Sequence, residues 1–296
     1  MKSENDPSKI LNPDKKFGPL LARVFSSSVF NELANTGFSP TLNSIIKELD
    51  IKVEHYENLG ELFECTYSKL SKVYRNEYLY KNSIANKILL GKYSLNTASM
   101  LSEFRVAKSK ADAIILNGTS HIYEIKTELD SLERLDQQLL DYQSFSEFVS
   151  VVTDKKHIPK LLDKIPSNVG LIELTSRDTF RTVKKPLSNL DKLCKNVQFD
   201  ALRQSEYVRI VNLHHGFVPD VPNTLLYKEC KKLFKDIPIR VAHKYILGEL
   251  KNRNLSTQKK ELVIRAPKSL KVTALCSRLS IKQINNLSLA LSRGIL

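Results

Sequence analysis

The chain is short of several things, and each shortage removes a class of protein. No apolar run approaches the roughly 18 residues that a bilayer-spanning helix needs, so no membrane span is expected. The leading stretch, Met1 to Lys16, is polar and lacks the apolar core of a secretory leader. The four cysteines, Cys65, Cys194, Cys230 and Cys276, lie far apart with no Cys-x-x-Cys. A zinc site or a disulfide framework is therefore not expected, and the reading is a reduced, cytoplasmic protein with buried thiols. Acidic side chains are also scarce: 32 Asp and Glu face 46 Lys and Arg, a net charge of +14. The imbalance is local. From Leu225 to Leu296 there are 16 Lys and Arg against 4 Asp and Glu, so +12 of the excess sits there. A basic module beside a near-neutral remainder points to a polyanion, most simply nucleic acid. A solvated basic surface kept for solubility is the rival reading. A membrane surface fits less well, because no strongly amphipathic basic helix ends in an aromatic anchor.

What is present allows one large domain or two: 296 residues, 42% hydrophobic. Apolar residues from Leu20 to Leu33 recur at helical spacing, Gly37 is a stop, and Ser39-Pro40 restarts a helix through Leu49. Further helices are expected over Leu59–Val73 and roughly Asn76–Leu90, the latter with Glu77 in its first turn. Three strands follow, Glu103–Ala107, Asp112–Leu116 and Ser120–Lys126, then a helix from Ser131 to about Ser144 carrying Gln138 and Tyr142 on one face. Strand, helix and strand then alternate over Phe148–Leu174, which implies parallel pairing with helices covering the sheet. Beyond Thr175 helices are expected at Leu187–Cys194 and Asp200–Val211. His214-His215-Gly216, Pro219 and Pro222 mark a boundary. Basic helices are expected over Thr224–Lys235, Ile239–Lys251, Pro267–Ser277 and Ser280–Arg293, the last with a serine cap and a helix-turn-helix look. The expected division is 1–73 helical, 74–212 an α/β core and 213–296 a basic helical module.

The stretch Asp112 to Lys126 carries the chemistry. Two β-rich runs flank Asn117-Gly118, a strong hairpin signal. Glu124 and Lys126 are two apart and share a strand face. A two-residue loop would place Asp112 opposite Tyr123, leaving the two acids on different faces. A three-residue loop, Asn117 to Thr119, places Asp112 opposite Glu124, with Gly118 supplying the left-handed residue. The second register, or an equivalent bulge, is the expectation. Two carboxylates and a lysine at the open end of a hairpin suit metal-assisted hydrolysis. The bland alternative is a half-exposed hairpin with solvated charges at its end.

This order, with an acid on a helix (Glu77), Asp112 on a strand, Glu124-Ile125-Lys126 on the next, then a helix with Gln138 and Tyr142, resembles the PD-(D/E)XK nuclease superfamily. Arg105-Val106-Ala107 through Val152 is similar to its uncharacterised bacterial branch, although Ala111-Asp112 replaces the usual Pro-Asp. The resemblance covers about Arg75 to Leu174. It implies an α/β fold with a restriction-endonuclease-like αβββαβ core, a mixed sheet flanked by helices, set between a helical N-terminal layer and the basic C-terminal module. It implies Mg²⁺ or Mn²⁺ held by Asp112, Glu124 and the Ile125 carbonyl, Lys126 positioning water, Glu77 as an outer acid and Gln138 orienting the metal shell or a phosphate. Gln137 is an adjacent competitor for that role. Tyr142, Arg105, Lys108 and Lys110 are candidates to meet nucleic acid. The activity implied is a Mg²⁺-dependent deoxyribonuclease, a hydrolase of phosphodiesters, associated with phage defence or mobile elements, and a homodimer is compatible with it. The alternative is a non-catalytic nucleic-acid-binding or regulatory protein with the same fold.

Overall fold

The structure is a computed structural model that describes residues 15–254 and 256–294. The leading polar stretch lies outside the described residues up to residue 14, and Lys15–Phe17 form a 3₁₀ turn. The chain forms two compact units, Met1–Lys92 with Asn254–Leu296, and Tyr93–Arg253.

The first unit is helical. It begins with α1 (Gly18–Arg23), α2 (Ser27–Thr36), α3 (Pro40–Glu48) and α4 (Leu59–Val73). Caps set these boundaries: Ser26, Ser39 and Asn58 accept from the backbone N–H three residues on, which satisfies donors the first helical turn leaves open. Gly37 ends α2 with φ +75 and donates its N–H to the Leu33 carbonyl. Next come α5 (Glu77–Ser83), a π turn (Ile84–Leu89) and the short α6 (Leu90–Lys92), so the expected helix over Asn76–Leu90 is present but wound wider in its second half.

The second unit is a six-stranded mixed sheet in chain order: β1 (Ser99–Val106), β2 (Ser109–Leu116), β3 (Ser120–Lys126), β4 (Phe148–Thr153), β5 (Gly170–Leu174) and β6 (Phe180–Lys184). β1, β2 and β3 pair antiparallel, while β3–β4 and β4–β5 are parallel, as the alternation implied. The crossovers are α7 (Leu135–Gln143) and α8 (Ile158–Lys164). Then come α9 (Lys195–Asp200), α10 (Gln204–His215), α11 (Asn223–Asp236) and α12 (Ile239–Lys251). Ile114, Leu116 and Ile122 share one core with Leu139 and Tyr142 of α7, Phe234 of α11 and Ile246 of α12. The chain then returns to the helical unit with α13 (Thr257–Arg265), α14 (Lys271–Cys276) and α15 (Ile281–Ser292), whose Ile284, Leu287 and Leu291 are buried.

Several expectations need correction. The compact units do not follow the 1–73, 74–212 and 213–296 division. Residues 213–253 go with the sheet because α11 and α12 bury Cys230, Phe234, Ile246 and Leu250 in its core. Residues 74–92 and 254 onward go with the helices. The helix expected from Ser131 starts only at Leu135, because Asp130 turns back to accept from the Thr127 N–H and hydroxyl instead of capping it. Leu187–Cys194 holds only a 3₁₀ turn, Leu190–Lys192. Asp200–Val211 is broken between α9 and α10, and β6 was not anticipated. No described helix is long and apolar enough to cross a membrane, and all four cysteines are free thiols.

Candidate functional site

The β2–β3 register decides whether the acids meet. The ladder runs Ala113↔Tyr123, Ile114↔Ile122, Ile115↔His121 and Leu116↔Ser120, the three-residue-loop register. Gly118 takes φ +95 at the tip. Asp112 is thereby in phase with Glu124, on the sheet face that α7 covers. Asp112 Oδ2 accepts the Ile125 backbone N–H at 2.6 Å, which ties the end of β2 to β3 through a side chain.

Glu124 is 1% exposed. Lys126 Nζ lies 2.8 Å from Oε1, and the Tyr142 hydroxyl donates to Oε2 at 2.8 Å. Lys126 Nζ also donates to Gln138 Oε1 at 2.9 Å. Of the two glutamines left open by the sequence, Gln138 is the one at the site; Gln137 Nε2 turns to Asp141 Oδ1 at 2.9 Å. Burial pushes the Glu124 carboxyl up, and the Lys126 ammonium and the Tyr142 and Gln138 hydrogen bonds pull it back. The Tyr142 phenol is driven far up, first by burial and then by the Glu124 carboxylate, with Asp112 adding to the push, so it stays a neutral donor.

One residue was missed. Glu103 stands opposite Asp112 in the β1–β2 register, between Ser102↔Ala113 and Phe104↔Ala111. Its backbone is left-handed, φ +53, and its carboxylate comes within 4.8 Å of that of Asp112. Like charges across a strand pair are unfavourable, and Lys110 offsets them by pairing with Glu103. Only the loop register at Ala107-Lys108 could have disclosed this from sequence. Arg105 and Lys108 are exposed, and Arg105 pairs across the ladder with Lys110. The structure does not draw either into the hydrogen-bonded cluster. Glu77 is exposed in the first turn of α5 in the helical unit and pairs with Lys81.

Within the sheet unit, the Glu103 and Asp112 carboxylates lie within 4.8 Å of each other and are oxygens of the kind Mg²⁺ and Mn²⁺ take. A second constellation has catalytic-looking geometry and is structural. His243 Nε2 is 3.1 Å from Ser120 Oγ, and Nδ1 is 2.8 Å from Gln198 Nε2. All three are buried, and the Ser120 hydroxyl also accepts the Glu147 N–H at 2.9 Å. Burial lowers the His243 imidazole to about 4, so it is a neutral pin between α12 and the hairpin.

The fold and site thus define a mixed α/β protein with a buried carboxylate–lysine–tyrosine cluster on its central hairpin. The family described as bacteriophage P4 protein cII matches residues 71–274, more than half of the chain, and the chain belongs to that family. Protein cII of Enterobacteria phage P4 is 28% identical over 187 residues, 61% of this chain and 65% of that protein, so the chain spans about two thirds of the length of this curated relative. A protein of unknown function from Silicibacter pomeroyi aligns in structure over 41% of this chain and 82% of its own, at 16% identity and a TM-score of 0.28.

Proposed function

We propose that the sheet unit is a metal-dependent phosphodiesterase acting on nucleic acid, with DNA as the expected substrate. The observation that carries this reading is the phase of β2 and β3: Asp112, Glu124 and Lys126 stand on one face, beneath Gln138 and Tyr142. The element order from Glu77 to Thr153, helix, three antiparallel strands, helix, parallel strand, supports a restriction-endonuclease-like core. Asp112, Glu124 and the Ile125 carbonyl would hold Mg²⁺ or Mn²⁺, with Glu103 beside them. The cation, when bound, supplies Lewis-acid stabilisation of phosphoryl oxygen and a water of lowered pKa. Lys126 places a point charge at the site, and Gln138 fixes its ammonium. Tyr142 orients Glu124 by donating to one carboxylate oxygen.

Purified protein incubated with Mg²⁺ or Mn²⁺ and plasmid or linear duplex tests the reading. Wild type should cleave, while Asp112→Asn and Lys126→Ala should fall by at least about 10²-fold, the usual cost of losing a group that stabilises developing charge. Mn²⁺ affinity measured by calorimetry should fall with Asp112→Asn independently of turnover. Equal cleavage by all three proteins would overturn the proposal. A second reading is favoured by one observation: both oxygens of Glu124 already have partners, Lys126 and Tyr142. On that reading the cluster is a buried brace in a nucleic-acid-binding protein without turnover, and nucleic acid would bind but stay intact with either metal.

A further inference from the structure

The basic excess of the C-terminal part has a different fate in each half. Between Leu225 and Arg253 half of the eight cations are ion-paired: Lys231 with Asp200, Lys232 with Glu229, Arg240 with Asp191 and Arg253 with Glu206. From residue 254 onward there are eight Lys and Arg against one acid, Glu261. Lys259 and Lys271 turn inward and donate to carbonyls of Ser277, Val263 and Ile264. Of the remaining six, Lys260 is half-buried, while Arg265, Lys268, Arg278, Lys282 and Arg293 are exposed and have no ion-pair partner among the described residues.

Those cations decorate a specific shape. α14 and α15 are joined by the four residues Ser277–Ser280, and α13 packs against both. That is the arrangement of a helix-turn-helix, two helices across a short turn on a supporting third. Ser280 and Gln283 form a capping box that fixes the start of α15: the Gln283 N–H donates to Ser280 Oγ, and the Ser280 N–H to Gln283 Oε1 at 2.8 Å. The helix is also clamped from behind, because Asn286 Nδ2 donates to the Ala34 and Asn35 carbonyls at 3.1 and 2.9 Å. Its free face, Ile281, Lys282, Asn285 and Leu289, is exposed. Asn285 and Leu289 share a groove of about 380 Å³ with Arg265 of α13, so that cation and the free face lie on one side.

We infer that α13–α15 bind duplex DNA, with α15 in the major groove and Arg265 and Arg278 on flanking phosphates. This goes beyond the cleavage reading, which concerns the other unit, and does not depend on it. Charge complementarity selects a polyanion. The choice of duplex follows from an absence: residues 256–294 contain no Phe, Tyr, Trp or His, so there is no platform for stacking unpaired bases. A helix of roughly 10–12 Å diameter fits the B-form major groove, whereas the major groove of A-form RNA is too narrow. Helix-turn-helix proteins read base edges with the first turns of the second helix, and those turns carry Lys282 and Asn285. The same lack of aromatic anchors argues against an acidic membrane surface.

The test is fluorescence anisotropy of the full-length chain on a duplex of about 25 base pairs, in EDTA so that nothing is cut, between about 50 and 200 mM salt. Arg265→Ala with Arg278→Ala should reduce the slope of log K against log salt by about 2. Lys282→Ala with Asn285→Ala should weaken binding about ten-fold to a hundred-fold. Lys231→Ala, in the sheet unit, should bind as wild type, and EDTA excludes turnover, which separates this inference from cleavage. All the substituted side chains of α13–α15 are exposed, so circular dichroism should be unchanged. Wild-type affinity in both double variants would overturn the inference. So would tighter binding by wild type to single-stranded RNA of equal length, or to phosphatidylserine vesicles, than to the duplex.

Discussion

Lys126 neutralises a carboxylate that has almost no access to water, and that sets the energetic stakes at the residue scale. Glu124 left without its ammonium would be a buried charge held only by the Tyr142 and Gln138 hydrogen bonds. Lys126→Met should therefore cost about 3–5 kcal/mol in urea unfolding. Adding Glu124→Gln to that variant should return part of the loss, because the amide removes the stranded charge. A double variant no more stable than Lys126→Met would show that the pair is not the source. His243 makes a second prediction. Its folded pKa, about 4, is below the ordinary value of 6.5. The unfolded chain therefore binds a proton between those values that the folded chain refuses. Stability contributed by the neutral imidazole is complete above about pH 6.5 and declines as pH falls towards 4, by roughly 2–3 kcal/mol in all. His243→Gln should flatten that part of the stability–pH curve. At this scale Asp112, Glu124 and Lys126 were legible, because strand side chains alternate and Asn-Gly fixes a turn. Glu103 was not, since nothing in a glutamate announces a left-handed backbone. Ser120 and His243 are 123 residues apart, beyond the reach of any local pattern.

The hairpin is the element on which the site depends, and Gly118 is where it is most exposed to a single change. A Cβ there would meet nothing within 4 Å, yet φ is +95. The cost of Gly118→Ala is thus purely conformational, about 1 kcal/mol or somewhat more. Because register follows from the turn, hydrogen exchange should accelerate first at the β2–β3 amides nearest the loop. Unchanged stability would mean the left-handed turn is not required. Two elements begin and end where the pattern placed them: α4, which Asn58 caps, and α12, which Pro238 precedes. α7 began late because Thr127 captured Asp130, a competition between two nearby partners that sequence cannot rank. β6 went unseen because its Phe-Arg-Thr-Val-Lys is an edge strand with no fully buried residue and little apolar signal.

At the scale of the whole molecule, the helical unit is assembled from the two ends of the chain. Gln283 of α15 reaches Asn35 at the end of α2, 248 residues away, with 2.7 Å between donor and acceptor. The sequence showed both sets of helices but not that they pack together, because amphipathic stripes do not name their partners; the division at residue 213 failed for that reason. The family match stops at residue 274, before α15 begins, so the last element of this core lies outside the matched region. Leu287 is fully buried in α15, and α15 packs on α2 and α4. Leu287→Ala should remove about 2–5 kcal/mol from this unit. If α2 and α15 form one cooperative body, amide exchange in Ser27–Thr36 should speed up by the same free energy as in Ile281–Ser292, despite the distance in sequence. Exchange that accelerates in α15 alone would mean that the C-terminal helices are an appendage, and the clamp that presents the free face of α15 would lose its physical basis.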